Sequence, residues 1–239
     1  DRSPSRGLGD VYKRQATGDL SHRKLFPSIF HLYQQDNLDE HIAIIGIGRR
    51  DYNNEQFRDQ VKASIQTYVK DTDRIDEFMT HVFYHKTDVS DKESYQSLLQ
   101  FSERLDSEFA LGGNRLFYLA MAPQFFGVIS DYLKSSGLTQ TKGFKRLVIE
   151  KPFGSDLKSA ESLNNQIRRS FKEEEIYRID HYLGKDMVQN IEVLRFANAM
   201  FEPLWNNKYI SNIQVTSSEV LGVEDRGGYY ESSLSLIHI

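Results

Sequence analysis

A mostly parallel α/β fold is what this sequence predicts, on three observations. From residue 42 onward, short apolar β-rich runs alternate with stretches of helical periodicity. The linking segments have the length of right-handed βαβ crossovers. The residues best suited to chemistry fall just after the strand-like runs, at the carboxyl edge where sheets of this type bind ligands.

The elements follow in order. Ile42 to Ile47 is a β-rich run, and Asn53 or Asn54 is placed to cap a helix carrying Phe57, Val61, Ile65 and Val69. Val82 to His85 makes a second strand, followed by Asp88-Val89-Ser90-Asp91 and a helix with Tyr95, Leu98, Leu99 and Leu105. Arg115 to Ala120 reads as strand and Gln124 to Ser135 as helix. Arg146 to Glu150 is the next strand, before a helix with Leu157, Ala160, Leu163, Ile167 and Phe171. After residue 176 the pattern changes to a polar turn, a helix with Met187, Val188, Ile191 and Leu194, and a β-rich segment from Ile210 to Glu219, so a second domain is expected there. The domain reading is residues 16–176 for the first and 177–232 for the second. Residues 1–15 and 233–239 fit neither domain and read as translated cloning or sequencing adaptor. Val11 and Tyr12 are the only strand formers where a first strand is needed, just before Ala16.

Composition narrows the function classes. A formal charge of -4 over 239 residues gives no basic excess for displacing counterions from nucleic acid. With no cysteine, disulfides, thiolate nucleophiles and thiolate-bound zinc are all out of reach, which fits the cytoplasm. The longest apolar run, Leu116 to Ala122, is far short of the roughly 20 residues of a membrane span. The histidines show no ligand spacing, so no metal site is expected.

The first candidate site is Ala16-Thr17-Gly18-Asp19-Leu20, just before a helical run with Leu25, Ile29, Phe30 and Leu32, where backbone N–H groups can cradle a pyrophosphate. After the next strand come Gly46-Ile47-Gly48-Arg49-Arg50. An acidic residue there suits the ribose hydroxyls of NAD, whereas arginine suits the extra phosphate of NADP, so Arg49 and Arg50 point to NADP, with two solvated loop cations an equal reading of this feature alone. Asp88 and Val89 are placed to flank an adenine, or Asp88 to cap a helix. In Glu150-Lys151-Pro152-Phe153-Gly154 the proline restricts Lys151 to extended backbone and so holds it at the sheet edge. Arg178-Ile179-Asp180-His181-Tyr182-Leu183-Gly184-Lys185 packs a carboxylate, an imidazole, a phenol and two cations into one stretch. His181, Tyr182 and Lys185 offer donors for a phosphomonoester, and Asp180 can orient a catalytic imidazole.

In this order, the motifs resemble those of glucose-6-phosphate dehydrogenases, the bacterial members above all, from Ala16 to about Ser232. The resemblance implies a Rossmann-like, doubly wound parallel sheet followed by the start of an α+β domain with an antiparallel sheet. It also implies hydride transfer from C1 of glucose 6-phosphate to NADP, in a protein assembled as dimers or tetramers. By matched position, Ala16, Thr17, Gly18, Asp19 and Leu20 form the dinucleotide turn, with Lys24 following in its helix. Arg49 takes the 2′-phosphate, Asp88 and Val89 lie near the adenosine, and Lys151 touches coenzyme and substrate, with Pro152 cis. His181, Tyr182 and Lys185 hold the sugar phosphate, Glu219 reaches a sugar hydroxyl, and Asp180 partners the general base.

Two departures accompany the resemblance. Gln15 stands where the family has glycine, and its side chain would crowd the pyrophosphate. The family's general-base histidine lies downstream of Gly228-Tyr229-Tyr230 in a pattern that the given residues do not contain, and His238 lacks that context. The polypeptide as written is therefore expected to be inactive. Two alternatives are a non-catalytic module that binds NADP or a sugar phosphate, and a related sugar oxidoreductase in which Glu-Lys-Pro also follows the coenzyme domain.

Overall fold

The computed structural model describes residues 9–14, 16, 18–38, 41–121, 123–154, 156–180, 185–214 and 216. The chain divides into two compact units, one ending at Arg178 and one beginning at Ile179.

The first unit is a six-stranded sheet in the order β3-β2-β1-β4-β5-β6. Its strands are β1 Gly9–Arg14, β2 Ile42–Gly48, β3 Val82–Lys86, β4 Arg115–Leu119, β5 Lys145–Ile149 and β6 Ile176–Arg178, every ladder parallel. This is the doubly wound dinucleotide-binding order, with its switch point between β1 and β4. The run Ile42 to Ile47 is apolar throughout because both faces of β2 are covered: Ile42 and Ile44 join one core cluster and Ala43, Ile45 and Ile47 the other. The first cluster packs under α1 Phe26–Gln34, α2 Asn54–Tyr68 and α3 Ile75–Thr80. The second packs under α4 Lys92–Glu108, α5 Phe126–Ser135 and α6 Leu157–Ile167. Burying a side chain as completely as Phe57 or Phe126 contributes about 1.5–3 kcal/mol.

Helix starts follow local chemistry. Asn53, not Asn54, caps α2, accepting from Gln56 N at 2.8 Å while its own N–H donates to Gln56 Oε1 at 3.0 Å. Asp156 and Ser159 form the same box on α6. Asp91 caps α4, while Asp88 accepts from Ser90 N at 2.9 Å in the turn before it, so Asp88 is not the cap.

Several expectations need correction. The strand that composition did not reveal is β1, paired with β2 and β4 on either side. A central strand is set by ladders on both edges, and that tertiary pairing overrides weak β-propensity. The short elements α3 and β6 were not foreseen, since six and three residues carry too little periodicity to read. Val69 and Phe171 fall beyond the ends of α2 and α6.

The second unit contains α7 Asp186–Phe196 and a short 3₁₀ turn, Glu202–Leu204. Residues 210–214 and 216 form no strand, contrary to the β-rich reading, because none of the described residues of this unit supplies a ladder partner. Residues 215 and 217–219 of that segment lie outside the described residues, as do both end segments apart from β1.

Candidate dinucleotide site at the carboxyl edge of the sheet

β1 ends at Arg14, the strand nearest the switch point, and the chain then turns through Ala16 and Gly18 into a helix. Ala16 is fully buried, its N–H donating to Ile47 O at 3.2 Å, which anchors the turn to β2. Close approach there depends on Gly46, where an added Cβ would lie 2.2 Å from Phe57 Cζ and 2.9 Å from Ala16 Cβ. Asp19 pairs with Arg23 at 2.6 Å, while Leu20 and Lys24 are exposed. Thr17 lies outside the described residues, and of the Gln15 side chain nothing is described.

The helix after this turn widens before it becomes regular. Pro27 has no N–H and its ring collides with a regular i−4 carbonyl, so Ser21–Leu25 adopt π-type bonding in which Phe26 N donates to Ser21 O. The His22 carbonyl, released by that change, accepts from the Ser64 hydroxyl of α2.

The turn after β2 presents Arg49 and Arg50, both exposed. The Arg50 carbonyl accepts from Tyr84 Oη at 2.8 Å, its guanidinium donates to Tyr52 Oη at 3.1 Å, and Asp51 pairs with Lys86 at 3.1 Å. Arg49, in contrast, makes no hydrogen bond or ion pair among the described residues. At the end of β3, Thr87 N donates to Gly48 O at 2.9 Å, setting Asp88 and the half-buried Val89 beside that turn.

On the other half of the sheet, β5 runs into Glu150 and Lys151, and the Lys151–Pro152 peptide is cis, as expected. Each neighbour of Lys151 is held. Glu150 accepts from the Tyr118 hydroxyl of β4. Burial, followed by that carboxylate, pushes the Tyr118 hydroxyl well above its usual range, so it stays a protonated donor. Phe153 lies 4.9 Å below the Arg178 guanidinium, which also donates to Glu173 at 2.7 Å and Asn164 at 2.5 Å. Gly154 has φ 84°, and an added Cβ would stand 2.6 Å from Ala160 N. Lys151 itself is half-buried.

Sequence reading missed Tyr118 and Tyr84. The signal was available for Tyr118, since parallel register sets the ends of neighbouring strands side by side and a tyrosine there reaches the rim from the core. Arg178, one of the two cations in its stretch, donates to Glu173 and Asn164 and lies over the Phe153 ring.

In the second unit, Asp180 and Lys185 are both exposed, Lys185 at the start of α7 with its carbonyl accepting from Val188 N at 2.9 Å. His181, Tyr182 and Glu219 lie outside the described residues. Among the described residues no group of three or more histidine, cysteine or acidic side chains converges as for a metal, and no helix is long and apolar enough to cross a membrane. A concavity of about 480 Å³ lies at the opposite, amino edge, near Thr139 and Lys145. Strand polarity puts dinucleotide crevices at the carboxyl edge instead, where the residues above are found.

Comparison with known proteins agrees with this geometry. Residues 15–190 match the family described as "Glucose-6-phosphate dehydrogenase, NAD binding domain", and residues 192–237 match "Glucose-6-phosphate dehydrogenase, C-terminal domain". The glucose-6-phosphate 1-dehydrogenase of Bacillus subtilis (strain 168) is 58% identical over 221 residues, 92% of this chain and 45% of the relative. That of Leuconostoc mesenteroides is 47% identical over 221 residues, 92% of this chain and 46% of the relative. A solved structure titled "Glucose-6-phosphate dehydrogenase in complex with its substrate glucose-6-phosphate" aligns with TM-score 0.83 and 36% identity, covering 97% of this chain and 48% of the other. The chain thus spans a little under half the length of the curated relatives it matches.

Proposed function

The chain belongs to the glucose-6-phosphate dehydrogenase family, and from that premise we propose that it carries the coenzyme half of an NADP-dependent oxidation of glucose 6-phosphate at C1, yielding the 6-phosphogluconolactone of the oxidative pentose phosphate pathway. The single observation that carries this reading is the placement of Lys151. It stands two residues beyond β5, on the half of the sheet that takes the nicotinamide nucleotide, with Glu150, Phe153 and Gly154 all pinned around it.

The residues present fit the coenzyme. The Ala16–Leu20 turn enters a helix N-terminus suited to a pyrophosphate, and Gly46 leaves room for the turn to sit close to β2. Arg49 supplies a guanidinium for the 2′-phosphate, and Asp88 and Val89 border the adenosine. When bound, the nicotinamide accepts the hydride. Lys151 donates hydrogen bonds to the substrate hydroxyl and to the coenzyme, fixing their approach. His181, Tyr182 and Lys185 hold the phosphate ester, Glu219 a sugar hydroxyl, and Asp180 steadies the imidazole that removes the C1 hydroxyl proton. No histidine in that context stands among these 239 residues, so the reading is tested with a downstream segment supplied. The whole enzyme works in the cytoplasm as a dimer or tetramer.

A hybrid tests the proposal: residues through Ser232 joined to the downstream segment of the Bacillus subtilis relative. It should reduce NADP with glucose 6-phosphate, and Lys151→Ala should lower kcat/KM by on the order of 10² or more. Oxidation of free glucose with the ester ignored would favour the related Glu-Lys-Pro oxidoreductase. Saturable NADP binding with no turnover in the hybrid would favour a non-catalytic module.

A further inference from the structure

Four successive residues follow Arg49, and all four are tied down. Arg50 is bound through its carbonyl to Tyr84 and through its guanidinium to Tyr52. Asp51 is bound to Lys86, Tyr52 lies under the Arg50 guanidinium and against the Tyr84 ring at 5.6 Å, and Asn53 is locked in its capping box. Asp51 and Lys86 are both exposed, and such pairs hold little, about 0–1 kcal/mol. The tie to Tyr84 differs in kind. Its ring is buried against Phe57 at 5.1 Å, and its own N–H donates to Asn54 Oδ1 at 2.8 Å, so the hydroxyl is presented by a side chain with no freedom to move. On the other side, an added Cβ at Gly48 would lie 2.9 Å from Tyr84 Oη, so the glycine leaves only enough room for that hydroxyl to reach Arg50. Burial pushes the Tyr84 hydroxyl above its usual pKa, keeping it a donor across the physiological range.

We propose that Tyr84 is a positioning residue for coenzyme choice: by fixing the Arg50 carbonyl from within the core, it holds the turn after β2 so that Arg49 meets a ribose 2′-phosphate without first being ordered. This rests on the NADP reading and extends it to a residue that never touches the coenzyme. The physical basis is preorganisation. A guanidinium on a fixed turn loses less freedom when it closes on an anion, and that saving falls only on ligands that carry the anion. Tyr84→Phe keeps the ring and its three aromatic and backbone contacts but frees the turn.

The test uses the 239-residue chain with two probes, 2′,5′-ADP and 5′-ADP, titrated by calorimetry. The unsubstituted chain should favour 2′,5′-ADP and Arg49→Ala should abolish the preference. Tyr84→Phe should weaken 2′,5′-ADP by roughly three- to tenfold, the scale of one net hydrogen bond, and leave 5′-ADP unchanged. Gly48→Ala, which drives a methyl toward the same hydroxyl, should reproduce that selective loss. Should the unsubstituted chain show no preference, or Arg49→Ala keep it, the NADP reading falls and takes this inference with it. Retention of the full preference by Tyr84→Phe, alongside its loss in Arg49→Ala, overturns the inference alone. An equal loss for both probes, or failure of both Tyr84→Phe and Gly48→Ala to fold, reduces Tyr84 to a structural role and also overturns it.

Discussion

Tyr118 and Ser64 show how single hydroxyl groups settle the backbone around this site. Tyr118 reaches Glu150 from the neighbouring strand, and Ser64 takes the His22 carbonyl that the widened helix no longer uses. Removing either hydroxyl strands a partly buried acceptor, so Tyr118→Phe and Ser64→Ala should each destabilise the chain by about 1–2 kcal/mol in urea unfolding. Unchanged urea midpoints in both variants would mean that neither hydroxyl holds the backbone. What the sequence disclosed at this scale were the residues with obvious chemistry: Arg49, Lys151 and the Asp180 cluster. It did not disclose their supports, because Tyr84 and Tyr118 gain their roles only from strand register, which brings together residues 32 or more positions apart.

Elements with strong periodicity were legible and short ones were not. The β2 run and the amphipathic faces of α2 and α4 announce themselves, whereas β1 is defined by the strands on either side and α3 by an interaction with α1. That interaction has a polar rim beside the Phe30–Phe78 and Tyr33–Phe78 ring contacts. Tyr33 Oη of α1 donates to Glu77 Oε1 at 2.8 Å, Arg74 Nε donates to Glu77 Oε2 at 2.9 Å, and Arg74 also pairs with Asp36 at 2.8 Å while lying 4.7 Å over the Tyr33 ring. Arg74, then Tyr33, hold the Glu77 carboxyl below its usual range. A depressed carboxylate stabilises the folded state above the pKa it has when unfolded, about 4.3, and that contribution is lost as pH falls through the lower folded value. Urea midpoints should therefore drop between pH 6 and pH 3 by more in the parent than in Glu77→Gln; parallel curves would remove Glu77 from the acid response. The closeness of β2 to the turn yields a second prediction. Gly46→Ala places a methyl inside Phe57, and overpacking of that kind should cost about 1–3 kcal/mol, read as a lower melting temperature without loss of secondary structure.

Across the whole molecule the two units differ in what they bury. The first carries two core clusters, one on each face of its sheet. In the second, α7 has no buried residue, and Met187, Phe196, Tyr209 and Ile213 are each more than 60% exposed. Among the described residues both buried cores therefore lie in the first unit, and so does the proposed coenzyme site, from the Ala16 turn to Lys151. A ligand that binds only the folded state stabilises it by about 2.7 kcal/mol at a free concentration one hundred times its dissociation constant. For a unit of this size that amounts to a rise of roughly 5–10 °C in melting temperature. NADP should raise the melting temperature of the intact chain by that amount. A polypeptide ending at Arg178 should give the same rise, because the site and both cores lie before that residue. A rise in the intact chain that vanishes in the shorter polypeptide would mean that residues beyond Arg178 complete the coenzyme site. A larger rise with NAD than with NADP at equal concentrations would mean that Arg49 does not read the ribose phosphate, and the assignment of that end of the sheet would have to be abandoned.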